Sequence, residues 1–226
     1  RPWLVHTTRM GMAWPVNGLW TCCGTMDESE GETMEQQKRV CVIGLGYIGL
    51  PTAALLASNG YDVAGMDVST HAVDTINQGK IHIVEPDLDA YVRSGVAAGR
   101  LRAFSAVQKA DVYMICVPTP FHEGGHIPQP NIDYVMAATA SIAPLLKAGN
   151  LVVLESTSPV GTTKQIQDVL KAAGVAVEEV HIAYCPERVL PGNVMHELVH
   201  NDRVIGGVNN ASTQKAIAFY NKYVKG

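Results

Sequence analysis

From Lys38 onward the chain alternates between two apolar patterns. Short continuous apolar and β-branched runs predict strands at Arg39–Ile43, Asp62–Met66, Leu101–Phe104, Val112–Val117, Leu151–Leu154, His181–Tyr184 and Arg203–Gly207. Between them, apolar positions recur with helical spacing over Tyr47–Asn59, Thr70–Asn77, Asp87–Ala98, Ile132–Leu146, Thr162–Ala173 and Asn210–Tyr223. Strands apolar throughout suit a parallel sheet covered on both faces. Pro86-Asp87 suits a helix start, and Gly60 and Gly174 suit helix stops. The alternation predicts an α/β fold, a doubly wound parallel sheet over residues 38–226.

Residues 1–37 do not follow this pattern. They carry all three tryptophans and the adjacent Cys22-Cys23, with no clear period, and end in a polar, acidic run from Asp27 to Glu35. The segment reads as a non-native or disordered leader, with Met26 or Met34 as a natural start. A targeting or docking arm is the alternative, and the missing amphipathic period speaks against it.

Composition narrows the class. The chain has 226 residues, 47% apolar and 17% charged, enough to bury a substantial core. A net charge of −4 without basic runs argues against a nucleic-acid partner. No apolar run is long enough for a bilayer span, and no signal peptide pattern is present. The five cysteines lack metal-type spacing, which suits reduced thiols and a cytoplasmic setting.

The first strand leads into Gly44-Leu45-Gly46-Tyr47-Ile48-Gly49, a G-x-G-x-x-G turn that opens a helix. The next strand ends in Asp67. Strand, glycine turn, helix, strand and acid in this order form a dinucleotide-binding fingerprint of the Rossmann type. Gly44 allows the tight turn, Gly46 a close backbone approach to pyrophosphate, and Gly49 close helix packing. Amides at the helix start favour phosphate. Asp67 would accept from the adenosine ribose and repel a 2′-phosphate. Val68-Ser69-Thr70-His71 supplies no arginine to offset it, so the expected cofactor is NAD.

Ligands in such sheets gather beyond the carboxyl ends of the strands. Thr119 lies there between Pro118 and Pro120. Glu155-Ser156-Thr157-Ser158 follows another strand, where at least one hydroxyl is expected to cap the next helix. Cys185-Pro186-Glu187-Arg188 follows a third, and Glu187 could orient water or act as a general base there. Cys185 has no histidine partner at a recognisable spacing and reads as a structural thiol. His122 and His126 are scattered, and His196 and His200, four apart, lack an acid in zincin order, so no metal is expected.

V-I-G-L-G-Y-I-G-L-P at Val42–Pro51, V-P-T-P at Val117–Pro120, S-T-S-P-V-G at Ser156–Gly161, Y-C-P-E-R-V-L-P-G at Tyr184–Gly192 and N-D-R-V-I-G-G at Asn201–Gly207 occur in that order. Together they closely resemble the UDP-glucose/GDP-mannose dehydrogenase family of nucleotide-sugar 6-dehydrogenases. The likeness runs from Lys38 to Gly226. The I-H-I-V-E-P-D-L run at Ile81–Leu88 and the E-R-V-L-P-G form look most like members that act on UDP-N-acetyl-D-mannosamine. Members acting on UDP-N-acetylglucosamine or UDP-glucose are the alternatives.

The resemblance implies a four-electron oxidation of a UDP-sugar at C6, through a cysteine-bound thioester, with two NAD per turnover. It implies that Gly44, Gly46, Tyr47, Ile48, Gly49 and Asp67 hold NAD, with Thr119 and Thr157 near its nicotinamide half. Thr119 and Glu187 would be catalytic, positioning and activating water. Glu187, Arg188 and Val189 would touch the substrate. The family's G-G-H-C-type nucleophile motif does not occur here, and its catalytic lysine and asparagine lie on a helix expected beyond Gly226. The chain therefore reads as C-terminally truncated relative to the family, without the central helix and UDP-binding domain, and inactive alone. A homodimer is expected of the full-length parent, and no membrane partner. Two readings compete, a stand-alone NAD-binding module without catalysis and a purely structural domain.

Overall fold

A computed structural model of the chain describes residues 38–122 and 128–226. The expectation for residues 1–37, and His126, lie outside the described residues. The strands are β1 (Arg39–Ile43), β2 (Asp62–Met66), β3 (Leu101–Phe104), β4 (Val112–Ile115), β5 (Leu151–Leu154), β6 (His181–Tyr184) and β7 (Gly206–Gly207). The helices are α1 (Gly49–Ser58), α2 (Thr70–Asn77), α3 (Leu88–Ala97), α4 (Asp133–Ile142), α5 (Thr162–Ala172), α6 (Val194–His200) and α7 (Asn210–Tyr220).

One sheet runs in the order β3-β2-β1-β4-β5-β6-β7. All pairs are parallel except β6 with β7. Side chains on successive strand residues point to opposite faces. Val40 and Val42 therefore join one buried cluster, with Leu50, Leu56 and Phe219. Cys41 and Ile43 join the other, with Ile115, Ile142 and Ile166. Burial on both faces is why the strands read as unbroken apolar runs. The sheet is doubly wound, and strand order reverses between β1 and β4. A crevice opens at such a point beyond the carboxyl ends.

Helix α1 is buried on nearly every side, from Gly49 to Ala57. Pro51 fits because the first helical turn needs no amide partner there. The helix ends at Gly60, whose φ of 88° lets Tyr61 N–H reach back to the Leu56 carbonyl. Gly174 stops α5 in the same way, with φ 84°.

Several details differ from the sequence reading, among them α7, which ends at Tyr220 and not at Tyr223. The strand expected over Arg203–Gly207 is only Gly206–Gly207, antiparallel, since only these two residues pair with β6, while Arg203 ahead of them is held by Glu187 and the Leu198 carbonyl. Val194–His200 forms a helix that its short apolar pattern did not announce. The helix expected to reach Leu146 ends at Ile142 and passes into a tighter turn at Ala143–Leu145, where Pro144 breaks the bonding. The strand expected to reach Val117 stops at Ile115.

Candidate functional site

The glycine turn lies between the ends of β1 and β4. Gly44 has φ +89°, and a Cβ there would meet the Cys116 carbonyl oxygen at 2.8 Å. A Cβ on Gly49 would collide with the Gly44 carbonyl. A Cβ on Gly46 would meet nothing within 4 Å. Gly44 and Gly49 are thus needed to build the turn, whereas Gly46 keeps its outer side clear. The first intrahelical bond runs from Leu50 N–H to the Gly46 carbonyl, at 3.1 Å. Tyr47, Ile48 and Gly49 therefore lie where helix amides have no intrahelical acceptor.

Asp67 closes the turn from β2. Its Oδ2 accepts Leu45 N–H at 2.8 Å, and its Oδ1 accepts Ser69 N–H at 2.8 Å. Each carboxylate oxygen has a second lone pair for a further donor. Asp67 thus both fixes the turn and faces the cleft beside it.

The loops after β4 and β5 are stitched together. Thr119 Oγ1 donates to the Thr157 carbonyl at 2.7 Å. Ser156 Oγ donates to the Val117 carbonyl at 2.7 Å. The expected helix cap is absent, since α5 is preceded by Gly161 without a side-chain cap bond. The hydroxyls of this loop tie backbone segments together instead.

A cleft of about 880 Å³ runs over these strand ends. It is lined by Gly44, Gly46, Tyr47, Ile48 and Asp67 at one end and by Thr119, Thr157, Glu187 and Val189 at the other. Gly49 and Arg188 are not in its lining. Gly49 is buried under the turn, and the exposed Arg188 donates through Nη2 to the Asp202 carbonyl at 2.8 Å.

Glu187 forms a buried ion pair with Arg203, whose Nη1 meets Oε2. Glu187 Oε1 accepts Arg188 N–H at 2.8 Å. Burial works against the Arg203 charge, but Glu187 and Glu155 beside it outweigh that and hold it protonated. Glu155, at the end of β5, is the deeper carboxyl, with 2% of its surface exposed. Cys116 Sγ lies 3.2 Å from Glu155 Oε2. Burial raises the Glu155 pKa, and nearby Glu187 adds to this against the opposing Arg203. Burial and then Glu155 also push the Cys116 thiol well up, and burial brings Cys185 to about 12. Neither thiol is a ready nucleophile.

Sequence reasoning missed Glu155, Cys116 and Arg203 as members of this cluster. An acid directly after an all-apolar strand, and an arginine inside N-D-R-V-I-G-G, were the available signals. The rings of His196 and His200 stack with centroids 4.2 Å apart. No group of metal-ligating side chains occurs among the described residues. Among those residues no helix is long and apolar enough to cross a membrane.

Residues 38–224 match the UDP-glucose/GDP-mannose dehydrogenase family, NAD binding domain. The chain belongs to this family. It is 50% identical over 202 residues to UDP-N-acetyl-D-mannosamine dehydrogenase of Campylobacter jejuni, covering 85% of this chain and 49% of that protein. It is also 50% identical over 198 residues to NDP-N-acetyl-D-galactosaminuronic acid dehydrogenase of Ralstonia nicotianae, covering 84% and 46%. The structure of UDP-D-ManNAc dehydrogenase from Pyrococcus horikoshii superposes with a TM-score of 0.79 at 38% identity, covering 83% of this chain and 45% of that one. The chain spans about half the length of the curated relatives it matches. NAD is the cofactor of this domain, and the clear space at Gly46 and the two-sided anchoring of Asp67 fit it.

Proposed function

We propose that this chain is the NAD-binding part of a UDP-sugar 6-dehydrogenase that oxidises UDP-N-acetyl-D-mannosamine to its uronate. One observation carries the reading: a single cleft is lined by the glycine turn and Asp67 at one end and by the Glu187 carboxylate at the other. When bound, NAD accepts the hydride equivalents.

The chain's own residues then divide the work. Backbone at Gly44, Gly46, Tyr47 and Ile48 receives the pyrophosphate, while Gly49 lets the turn close beneath them. Asp67 receives the adenosine ribose. Thr119 and Thr157 border the nicotinamide half. Thr119 gives its hydroxyl proton to the Thr157 carbonyl, so its oxygen lone pairs remain to accept from water or an alcohol. Glu187, fixed by Arg203, is the carboxylate that takes the proton from that water or alcohol. Val189 lines the cleft beside it, and Arg188, outside the lining, gives Glu187 its backbone N–H. Burial raises the Cys116 and Cys185 thiols, so neither is given the covalent role here.

The N-acetylated sugars in the relatives' names favour an N-acetylhexosamine. UDP-N-acetylglucosamine and UDP-glucose are the second reading. The test is NADH release by the complete protein with each UDP-sugar in turn, beside calorimetric NAD titration of the 226-residue chain. The expected result is NAD binding by the chain without turnover, and highest kcat/KM for UDP-N-acetyl-D-mannosamine in the complete protein. Uronate formation by the chain alone, or no heat with NAD, would sink the reading.

A further inference from the structure

Glu85 lies in the connection between α2 and α3, apart from the cleft, yet only 4% of its surface is exposed. Pro86 confines its backbone to extended conformations. Asp87 then takes a left-handed φ of 64°, the one such residue besides glycine among the described residues. This turn aims the Glu85 side chain at a segment more than 100 residues downstream. Oε2 accepts Gly192 N–H at 2.9 Å, and Oε1 accepts Val194 N–H at 2.8 Å. Two backbone donors on two oxygens suit a carboxylate, because an amide has only one acceptor oxygen.

Val194 is the first residue of α6. The Leu198 carbonyl of that helix accepts from Arg203 Nη2 at 2.9 Å. The other arm of the same guanidinium pairs with Glu187. Gly192 ends the Y-C-P-E-R-V-L-P-G stretch that carries Glu187. A continuous set of contacts thus runs from Glu85 through the start of α6, Leu198 and Arg203 to Glu187.

We propose that Glu85 is a positioning residue, which clamps Gly192 and Val194 and so sets where Arg203 holds Glu187. The proposal rests on the reading of Glu187 given above. It makes the connection after α2 part of the oxidation site although none of its atoms lines the cleft.

The test compares Glu85→Ala, Glu85→Gln and Glu187→Gln in the complete protein. With Glu85→Ala, kcat falls about tenfold or more, as expected when a reacting group is slightly misplaced. KM for NAD stays within about twofold, because the glycine turn is untouched. Glu85→Gln, which keeps one acceptor oxygen, recovers part of the loss. A residue with only a structural role would lower Tm and leave kcat of the folded protein unchanged. Folded Glu85→Ala with parental kcat, beside an inactive Glu187→Gln, overturns the proposal. Should Glu85→Ala not fold, Glu85→Gln carries the same comparison. Full activity of Glu187→Gln instead overturns the Glu187 reading. Amide exchange in the 226-residue chain then tests the clamp alone: Gly192 and Val194 exchange about tenfold faster in the variant, and unchanged exchange overturns it.

Discussion

Tyr220 donates its hydroxyl hydrogen to Glu155 Oε1 at 2.7 Å, joining the last helix to the end of β5. Both side chains are buried. Burial makes this bond costly to lose, since the carboxyl has no water to replace the donor. Tyr220→Phe is expected to lower stability by about 1–3 kcal/mol, read from urea denaturation. A cost below a few tenths would mean the hydroxyl is not held there.

The same carboxyl sets a pH dependence. Its folded-state pKa is raised, by burial first and by Glu187 second. Unfolded, a glutamate titrates near about 4.3. Below that value both states hold the proton, and the stability from the protonated carboxyl is fully present. As pH rises towards the folded value, the unfolded chain gives up its proton first and stability falls. Glu155→Gln removes this slope. Denaturation midpoints from mildly acidic to neutral pH should be flatter in the variant, and parallel curves would contradict the assignment.

The glycines of the turn separate folding from binding. At Gly49 a new Cβ meets the Gly44 carbonyl, so Gly49→Ala should cost about 1–3 kcal/mol of stability. At Gly46 nothing lies within 4 Å, so Gly46→Val should leave Tm nearly unchanged and abolish measurable NAD binding. Thermal melts with and without NAD distinguish the two.

Asp67 carries a double role that its variants can split. Asp67→Ala should weaken NAD binding about tenfold or more by calorimetry, because a charged acceptor is lost. It should also loosen the turn, since Leu45 and Ser69 lose their acceptor. Asp67→Asn keeps one acceptor oxygen for that turn and loses the charge. Equal NAD affinity in all three proteins would remove Asp67 from the site.

The thiols should be slow. Burial raises Cys41 to about 11 and Cys185 to about 12, against 9.0 for a free group. Cys116 is also raised well above the ordinary value, by burial and then Glu155. Alkylation near pH 8, followed by peptide mass spectrometry, should label these positions at least about a hundredfold more slowly in the folded chain than in denaturant. Rapid labelling of Cys116 would mark it as a reactive group of the cleft.

The first half of the fold was legible because its signals are local. Val40–Ile43, the glycine turn and Asp67 fall within one βαβ unit, where spacing alone places them. Thr119, Thr157 and Glu187 were legible as strand-end residues, since strand ends of a parallel sheet share one side. The Glu155, Tyr220 and Arg203 cluster was not legible. Its members come from the residue after β5, from α7 and from the stretch before β7, and only packing brings them together. Helix α6 was hidden for a related reason. Its buried Val194, Met195 and Leu198 are too few to show a period, and the helix starts where Glu85 supplies acceptors from far upstream.

The two outer strands of the sheet have a consequence for how the chain meets its own copies. On one side β3 has four residues, and its exposed Arg102 lies over the Phe104 ring at 5.3 Å. On the other, β7 is a two-residue antiparallel stub. Neither margin offers a long, flat row of free backbone groups for a foreign strand to extend. A sheet bounded this way is poorly suited to growing by strand addition, so its edges should not seed fibrils at high concentration.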